Sequence, residues 1–130
     1  MLDLIVAAIA ARAKAHAPYS KFYVGAAMRD ERGHIHGGCN IENAAYPQGW
    51  CAECSAIANL VISGAKRITE VAVLGNGDAL CTPCGGCRQK IREFAAGDVL
   101  IHCCTETGTL LKTFTLEELL PASFGPENLK

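Results

Sequence analysis

This 130-residue chain lacks an excess of either charge: it carries 12 lysines and arginines against 13 acidic residues. The formal net charge is -1, and neither sign forms a long run. Proteins dedicated to duplex nucleic acids normally carry a basic stripe that neutralises phosphates. We therefore expect no nucleic-acid polymer as a partner, and the even charge balance leaves an uncharged small molecule open as a ligand.

Long apolar runs are also lacking. Residues 2–15 are mostly apolar, but Asp3, Arg12 and Lys14 interrupt them, and the stretch is too short to cross a bilayer. It also lacks the order of a signal peptide, in which positive charge precedes the apolar segment. The sequence therefore predicts no membrane association and a cytoplasmic location.

Linkers, internal repeats and low-complexity segments are absent from the sequence. Half of the residues are apolar and 19% are charged, a composition typical of a globular core. The length is usual for one domain, so residues 1–130 are predicted to form a single domain.

The predicted secondary structure alternates between helices and strands. The pattern indicates helices at residues 2–15, 51–63, 84–94 and 116–120, and strands at residues 24–28, 34–39, 70–74, 99–103 and 112–115. Pro18 is expected to end the first helix, since proline disfavours helix in the residue before it. The order predicts an α/β fold with helices packed on a mixed sheet.

Eight cysteines stand out in a chain without a recognisable secretion signal, and they indicate reduced thiols or metal ligands rather than disulfides. Cys39, Cys103 and Cys104 lie in or beside strand-like runs. These three are predicted to be small buried apolar residues, which is a common role for free cysteine.

The central motif is Cys51-Ala52-Glu53, followed 33 residues after Cys51 by Pro83-Cys84-Gly85-Gly86-Cys87. Two cysteines separated by two residues at a helix start can both point at one metal ion. Zinc accepts thiolates in tetrahedral geometry, and three protein ligands leave the fourth position for water. The predicted cofactor is one zinc ion held by Cys51, Cys84 and Cys87.

Glu53 is the candidate catalytic residue. Zinc lowers the pKa of a bound water to about 7, and a carboxylate beside it can act first as general base and then as general acid. Helical spacing places Glu53 about 160° away from Cys51, but at the first turn both side chains can still border one cavity.

A closed structural site is the competing interpretation of the same cysteines. Cys51 and Cys54 form one C-x2-C pair, Cys84 and Cys87 form another, and four thiolates would hold zinc without catalysis. The 29-residue gap between the pairs exceeds the 15–20 residues typical of such sites. Spacing alone leaves both interpretations open.

At these residues the sequence resembles the cytidine deaminase family, whose zinc motifs follow a described pattern. The resemblance extends over residues 17–27, 39–46, 83–89 and 119–126, in that order. It implies a three-layer α/β/α fold with a mixed five-stranded sheet. The implied reaction is zinc-dependent hydrolytic deamination of cytidine and 2′-deoxycytidine. A modified cytosine nucleoside or a blasticidin S-type antibiotic is the alternative substrate.

The resemblance also implies substrate contacts. Asn40 and Glu42 are expected to hydrogen-bond the ribose hydroxyls, Phe22 to flank the pyrimidine, and the backbone of Ala52 to read the ring edge. In the small tetrameric members, Tyr46 and Phe124 correspond to positions that help line a neighbouring subunit's site. A homotetramer with shared active sites is therefore implied, with the nucleoside as the small-molecule partner.

The sequence departs from the family after the catalytic glutamate. Many small members have an arginine there, which donates to the metal thiolates, whereas this chain has Cys54. Three thiolates and one zinc ion carry a net charge of about -1, so a donor is needed for an acidic metal. Arg88, directly after Cys87, is the candidate donor; an ordinary surface arginine is its alternative role.

Overall fold

The computed structural model describes residues 1–129. Its helices are α1 (Leu2–Arg12), α2 (Ala52–Ile62), α3 (Gly85–Arg92) and α4 (Leu116–Leu119). Its strands are β1 (Gly25–Asp30), β2 (Ile35–Cys39), β3 (Ile68–Leu74), β4 (Leu100–Cys104) and β5 (Leu110–Thr115). Short 3-10 turns occur at Tyr46–Gln48 and Pro126–Leu129.

The strands form one mixed sheet in the order β2-β1-β3-β4-β5. Only the central pair, β3 and β4, is parallel, and the other neighbours are antiparallel. α3 lies in the connection between β3 and β4. Two parallel strands need such a crossover connection. The segment before α3, which contains Pro83 and Cys84, therefore begins at the carboxyl end of β3.

Helices cover both faces of this sheet. Alternate side chains of a strand point to opposite faces, and each face has its own apolar cluster. On one face Leu4, Ile5 and Ala8 of α1 pack with Ala27, Ala72 and Leu74. On the other, Ala56 and Leu60 of α2 and Ile91 of α3 pack with Met28, Val71, Val73 and Ile101. The predicted three-layer α/β/α fold with a mixed five-stranded sheet is confirmed.

Glycine allows α2 to lie directly on β2. A Cβ at Gly38 would come within 2.8 Å of the carbonyl carbon of Ser55, and closer still to backbone atoms of Ala52 and Ala56. The Ser55 hydroxyl donates to the Cys39 carbonyl at 2.8 Å, and the Asn59 amide donates to the Gly37 carbonyl at 2.8 Å. These contacts fix the first turns of α2 against the sheet.

The first helix ends at Arg12, three residues before the predicted end at residue 15. The N–H groups of Lys14 and Ala15 bond carbonyls three residues back, which tightens the last turn. The N–H of His16 then donates to the Asn40 carbonyl at 3.0 Å. The chain therefore becomes extended where His16 pairs with Asn40 after β2, which is before Pro18.

The three cysteines expected in the core differ in burial. Cys103 and Cys104 are fully buried, whereas Cys39 at the end of β2 is half-buried. Within residues 1–129, no helix is long and apolar enough to cross a membrane.

Candidate metal centre and active site

Two helix starts deliver the predicted metal ligands. Cys51 is the N-cap of α2 and Cys84 is the N-cap of α3, and both have extended backbone conformations. Cys87 lies in the first turn of α3 and is buried. The three sulfur atoms lie within 4.8 Å of one another. The structure therefore brings together the three cysteines that the sequence predicted as ligands.

The sulfur geometry fits zinc. With zinc–sulfur distances of about 2.3 Å, tetrahedral coordination requires sulfurs about 3.8 Å apart. Small side-chain shifts from the observed spacing would reach that geometry. The helix starts also present free backbone N–H groups and the positive ends of two helix dipoles to the sulfurs, which favours thiolates.

The three thiols differ in acidity. A backbone hydrogen bond from Cys87 holds the pKa of Cys84 below its usual value. Burial raises the pKa values of both Cys51 and Cys87. Cys84 is therefore the thiol that ionises most readily, and metal binding has to displace protons from Cys51 and Cys87.

Cys54 does not join the ligand group. Within residues 1–129, the cluster of possible metal ligands contains Cys51, Cys84 and Cys87 alone. Cys54 is buried on α2 and lines a different cavity, between α2 and α3. The four-thiolate structural site that the spacing left open is therefore not the arrangement of this chain.

Glu53 lies in the first turn of α2 and is only 4% exposed. The helical offset of about 160° does not apply between these residues, because Cys51 precedes the helix in an extended conformation. Glu53, Cys51 and Cys84 consequently line the same cavity. Burial raises the pKa of the Glu53 carboxyl, so its proton affinity is higher than that of a solvated glutamate.

This cavity, called the site cavity below, has a volume of about 430 Å³. The structure places four of the predicted substrate-binding residues on its wall. They are Asn40, Glu42, Tyr46 and Ala52. Its volume lies within the usual range for small-molecule sites.

Asn40 and Glu42 already have partners within the chain. The Asn40 amide accepts from the Val24 N–H at 2.9 Å and donates to the Phe22 carbonyl at 2.9 Å. Glu42 accepts from the hydroxyl and N–H of Ser20 and from the Tyr19 N–H, and the Ser20 hydroxyl bond lowers its pKa. Both side chains therefore order the loop, and each retains hydrogen-bonding capacity toward the cavity.

The aromatic residues take different positions. The ring of Phe22 lies near Cys81, on the same side of Gly75, but Phe22 is not part of the cavity lining, whereas Cys81 is. Tyr46 lines this chain's own cavity and packs edge-on against Tyr19, with ring centroids 6.1 Å apart. Phe124 is 57% exposed and is not part of the cavity lining.

Arg88 does not make the predicted hydrogen bond to a thiolate. Its guanidinium donates to the Pro83 carbonyl at 2.7 Å, the Leu119 carbonyl at 2.9 Å and the Thr82 hydroxyl at 3.0 Å. The correction has a geometric reason, since Arg88 points away from Cys87 toward the segment before α3 and the end of α4. Arg88 therefore fixes the backbone that carries Cys84.

Sequence reasoning missed several residues of the site. The site cavity is also lined by Val24, Trp50, Cys81 and Thr82. Cys81 and Thr82 immediately precede the Pro83-Cys84 ligand segment, and this adjacency could have predicted that they line the site. Trp50 is different, because its position directly before Cys51 predicts that it borders the site, either shaping the pocket or packing in the core, with packing favoured; it lines the cavity and is 50% exposed, so the core packing is wrong.

Comparisons with known proteins agree with this geometry. A family model described as the cytidine and deoxycytidylate deaminase zinc-binding region matches residues 2–103. A cytidine deaminase from Sporosarcina psychrophila is 41% identical over 126 residues, which cover 97% of this chain and 92% of that protein. One from Halalkalibacterium halodurans is 36% identical, with 97% of this chain and 95% of that protein covered.

A solved structure gives the same result. The crystal structure of cytidine deaminase from Burkholderia pseudomallei superposes with a TM-score of 0.87 at 37% identity. The superposition covers 94% of this chain and 97% of that one. Sequence, fold and ligand cluster agree, and the chain belongs to the cytidine deaminase family.

Proposed function

We propose that this chain catalyses the zinc-dependent hydrolytic deamination of cytidine and 2′-deoxycytidine to uridine, 2′-deoxyuridine and ammonia. The observation that carries the proposal is the site cavity, where two of three convergent sulfurs share a wall with a buried glutamate. A purely structural metal site has no need of a cavity or of a buried carboxylate beside its ligands.

Cys51, Cys84 and Cys87 would hold the zinc ion, which would supply the Lewis acid for activating a water molecule. Glu53 accepts the first proton of that water and delivers it to ring N3, and it then takes the second proton from the hydroxyl formed at C4 and passes it to the departing amino group. The C4–oxygen bond forms and the C4–nitrogen bond breaks, so ammonia leaves without any external oxidant or reductant. Burial of Glu53 excludes bulk water from these proton transfers.

The remaining cavity residues support a nucleoside as substrate. We assign the ribose hydroxyls to the Asn40 amide and the Glu42 carboxylate, and the ring edge to the backbone of Ala52 and of the chain near Pro83. Asn40, Glu42 and Ala52 line the same cavity, which supports this assignment. Phe22 flanks the pyrimidine. This combination favours a plain ribose or deoxyribose over a bulkier antibiotic.

We also propose a domain organisation, a location, a metabolic role and an oligomeric state for the chain. The chain acts as a single domain in the cytoplasm, in the salvage of pyrimidine nucleosides, and assembles as a homotetramer. Phe124, exposed and outside this chain's own cavity, is free to line the site of a neighbouring subunit.

A substrate panel tests the proposal. Ammonia release is measured with zinc-replete protein on cytidine, 2′-deoxycytidine, a ring-modified cytosine nucleoside and blasticidin S. We expect turnover of the first two, and the Glu53→Gln variant to retain zinc while losing about 10²- to 10⁴-fold in kcat. Inert cytidine beside an active analogue would assign the site to the modified substrate instead.

A further inference from the structure

A second cavity adjoins the metal centre. It lies between α2 and α3 and has a volume of about 470 Å³. Its lining consists of Trp50, Cys54, Ile57, Ala58, Gln89, Lys90, Glu93 and Phe94. Trp50 directly precedes the ligand Cys51, and Cys54 follows Glu53, so this cavity and the site cavity share the start of α2 as a wall.

Lys90 extends from α3 across this cavity. It follows the ligand Cys87 by three residues, so both side chains lie on the same face of the helix. Its Nζ lies 3.8 Å from the position that a Cβ of Gly86 would occupy. The side chain therefore runs back toward the start of α3, where Cys84 and Cys87 are, while its apolar stem lines the cavity.

The electrostatic surroundings of Lys90 agree with that placement. Interaction with Cys54 raises the pKa of Lys90 most strongly, burial opposes this, and interactions with Cys87 and Cys51 raise the pKa further. In return, the charge of Lys90 counteracts the effect of burial on the pKa of Glu53. The ammonium group is therefore within electrostatic range of two metal ligands and of the catalytic carboxylate.

The loaded site needs such a cation. Three thiolates and one zinc ion carry a net charge of about -1, and an ionised Glu53 adds another negative charge. Arg88 donates to two carbonyls and a hydroxyl through its Nε, Nη1 and Nη2 atoms rather than to a ligand sulfur. Cys54 stands where many small family members have an arginine, so α2 offers no cation at that position.

We propose that Lys90 is a positioning residue for the metal centre, supplying from α3 the positive charge that offsets the zinc thiolates. The proposal rests on the proposed function, since it assumes that the three sulfurs hold zinc for catalysis. A thiolate whose charge is partly neutralised donates less electron density to the metal, which remains the stronger Lewis acid. Lys90 acts through the ligands and does not touch the nucleoside.

The first test replaces the charge and keeps the stem. Lys90→Met is compared with wild type, with Lys90→Arg and with Lys66→Met, an exposed lysine beyond the far end of α2. Zinc transfer to a competing chromogenic chelator is followed at neutral pH, and kcat and KM for cytidine are measured separately. We expect about a tenfold faster zinc loss and about a tenfold lower kcat in Lys90→Met, with KM changed less than threefold.

The controls separate charge from packing. Lys90→Arg and Lys66→Met are expected to stay within about twofold of wild type for zinc loss. The double variant Cys54→Arg/Lys90→Met moves the cation to α2 and is expected to recover most of both losses. The proposal would be overturned if Lys90→Met had the same rate of zinc loss and the same kcat as wild type. It would also be overturned if neither Lys90→Arg nor the double variant recovered the losses seen in Lys90→Met.

Zinc retention also distinguishes the failure of this proposal from failure of the proposed function. A wild-type protein that binds zinc but releases no ammonia from any cytosine nucleoside would refute the proposed function. The chelator assay would still show whether Lys90 stabilises the metal site, because it does not depend on turnover.

Discussion

Replacing Gly38 by alanine tests whether the contact between β2 and α2 positions the active site. The new Cβ would lie 2.8 Å from the Ser55 carbonyl carbon and closer to other backbone atoms of α2. Backbone cannot rotate away as a side chain can, so α2 must move by about 1 Å to restore an ordinary contact. Such overpacking costs about 1–3 kcal/mol of unfolding free energy.

The displacement would act on catalysis as well as on stability. α2 begins directly after Cys51 and carries Glu53 in its first turn. A misplacement of about 1 Å in a catalytic group lowers turnover by about 10²-fold. We expect Gly38→Ala to lose about that much kcat, with reduced zinc occupancy measured by metal analysis on the purified protein.

Gly37→Ala is the matched control. Gly37 is the neighbouring residue of β2, and its added Cβ would meet the Ala11 side chain at 3.4 Å, an ordinary contact. This variant should keep near-normal kcat and melting temperature. If Gly38→Ala retained kcat within threefold of Gly37→Ala, the close approach of α2 to β2 would not be what holds the ligands in place.

Three further substitutions have defined outcomes. Burial raises the pKa of Asp30, but hydrogen bonds from His36, Arg32 and the backbone outweigh it and hold that pKa well below its usual value. The resulting stability is therefore present above pH 4 and is lost at lower pH, so the destabilisation by Asp30→Asn in denaturant titrations should shrink between pH 6 and pH 3; a constant difference would contradict this. Asn40→Ala removes hydrogen bonds to Val24 and Phe22 and should lower the unfolding free energy by about 1–3 kcal/mol, with a larger rise in KM than fall in kcat; an unchanged KM would argue against a substrate-binding role. Ser55→Ala removes the hydroxyl that donates to the Cys39 carbonyl and, at 3.4 Å, to the Cys51 carbonyl, and should lower the melting temperature by about 4 °C without loss of zinc; loss of the metal would show that this hydroxyl positions Cys51.

The ligand cluster could be predicted from the sequence because local rules place its members. Cys51 and Cys84 are helix N-caps, Cys87 is one turn into α3, and Glu53 is in the first turn of α2. The spacing of these residues within each motif therefore places all four side chains at the start of a helix. The fold class followed for a similar reason, since strand and helix patterns alternate along the chain.

The contacts of Arg88 and Lys90 could not be predicted in the same way. Arg88 bonds the Leu119 carbonyl, 31 residues away, and that distance in sequence carries no local signal. The spacing of Lys90 from Cys87 on α3 is local, but Lys90 shares a cavity with Cys54 of α2 only because α2 and α3 pack side by side. The end of α1 likewise depends on the pairing of His16 with Asn40, which is tertiary.

The most direct test of the account is the zinc content of two single variants beside wild type, measured by metal analysis on folded, purified protein. We expect about one zinc per chain in wild type and in Cys54→Ser, and loss of the metal in Cys84→Ser. Zinc loss in Cys54→Ser as severe as in Cys84→Ser would make Cys54 the fourth ligand, leaving no open position for water.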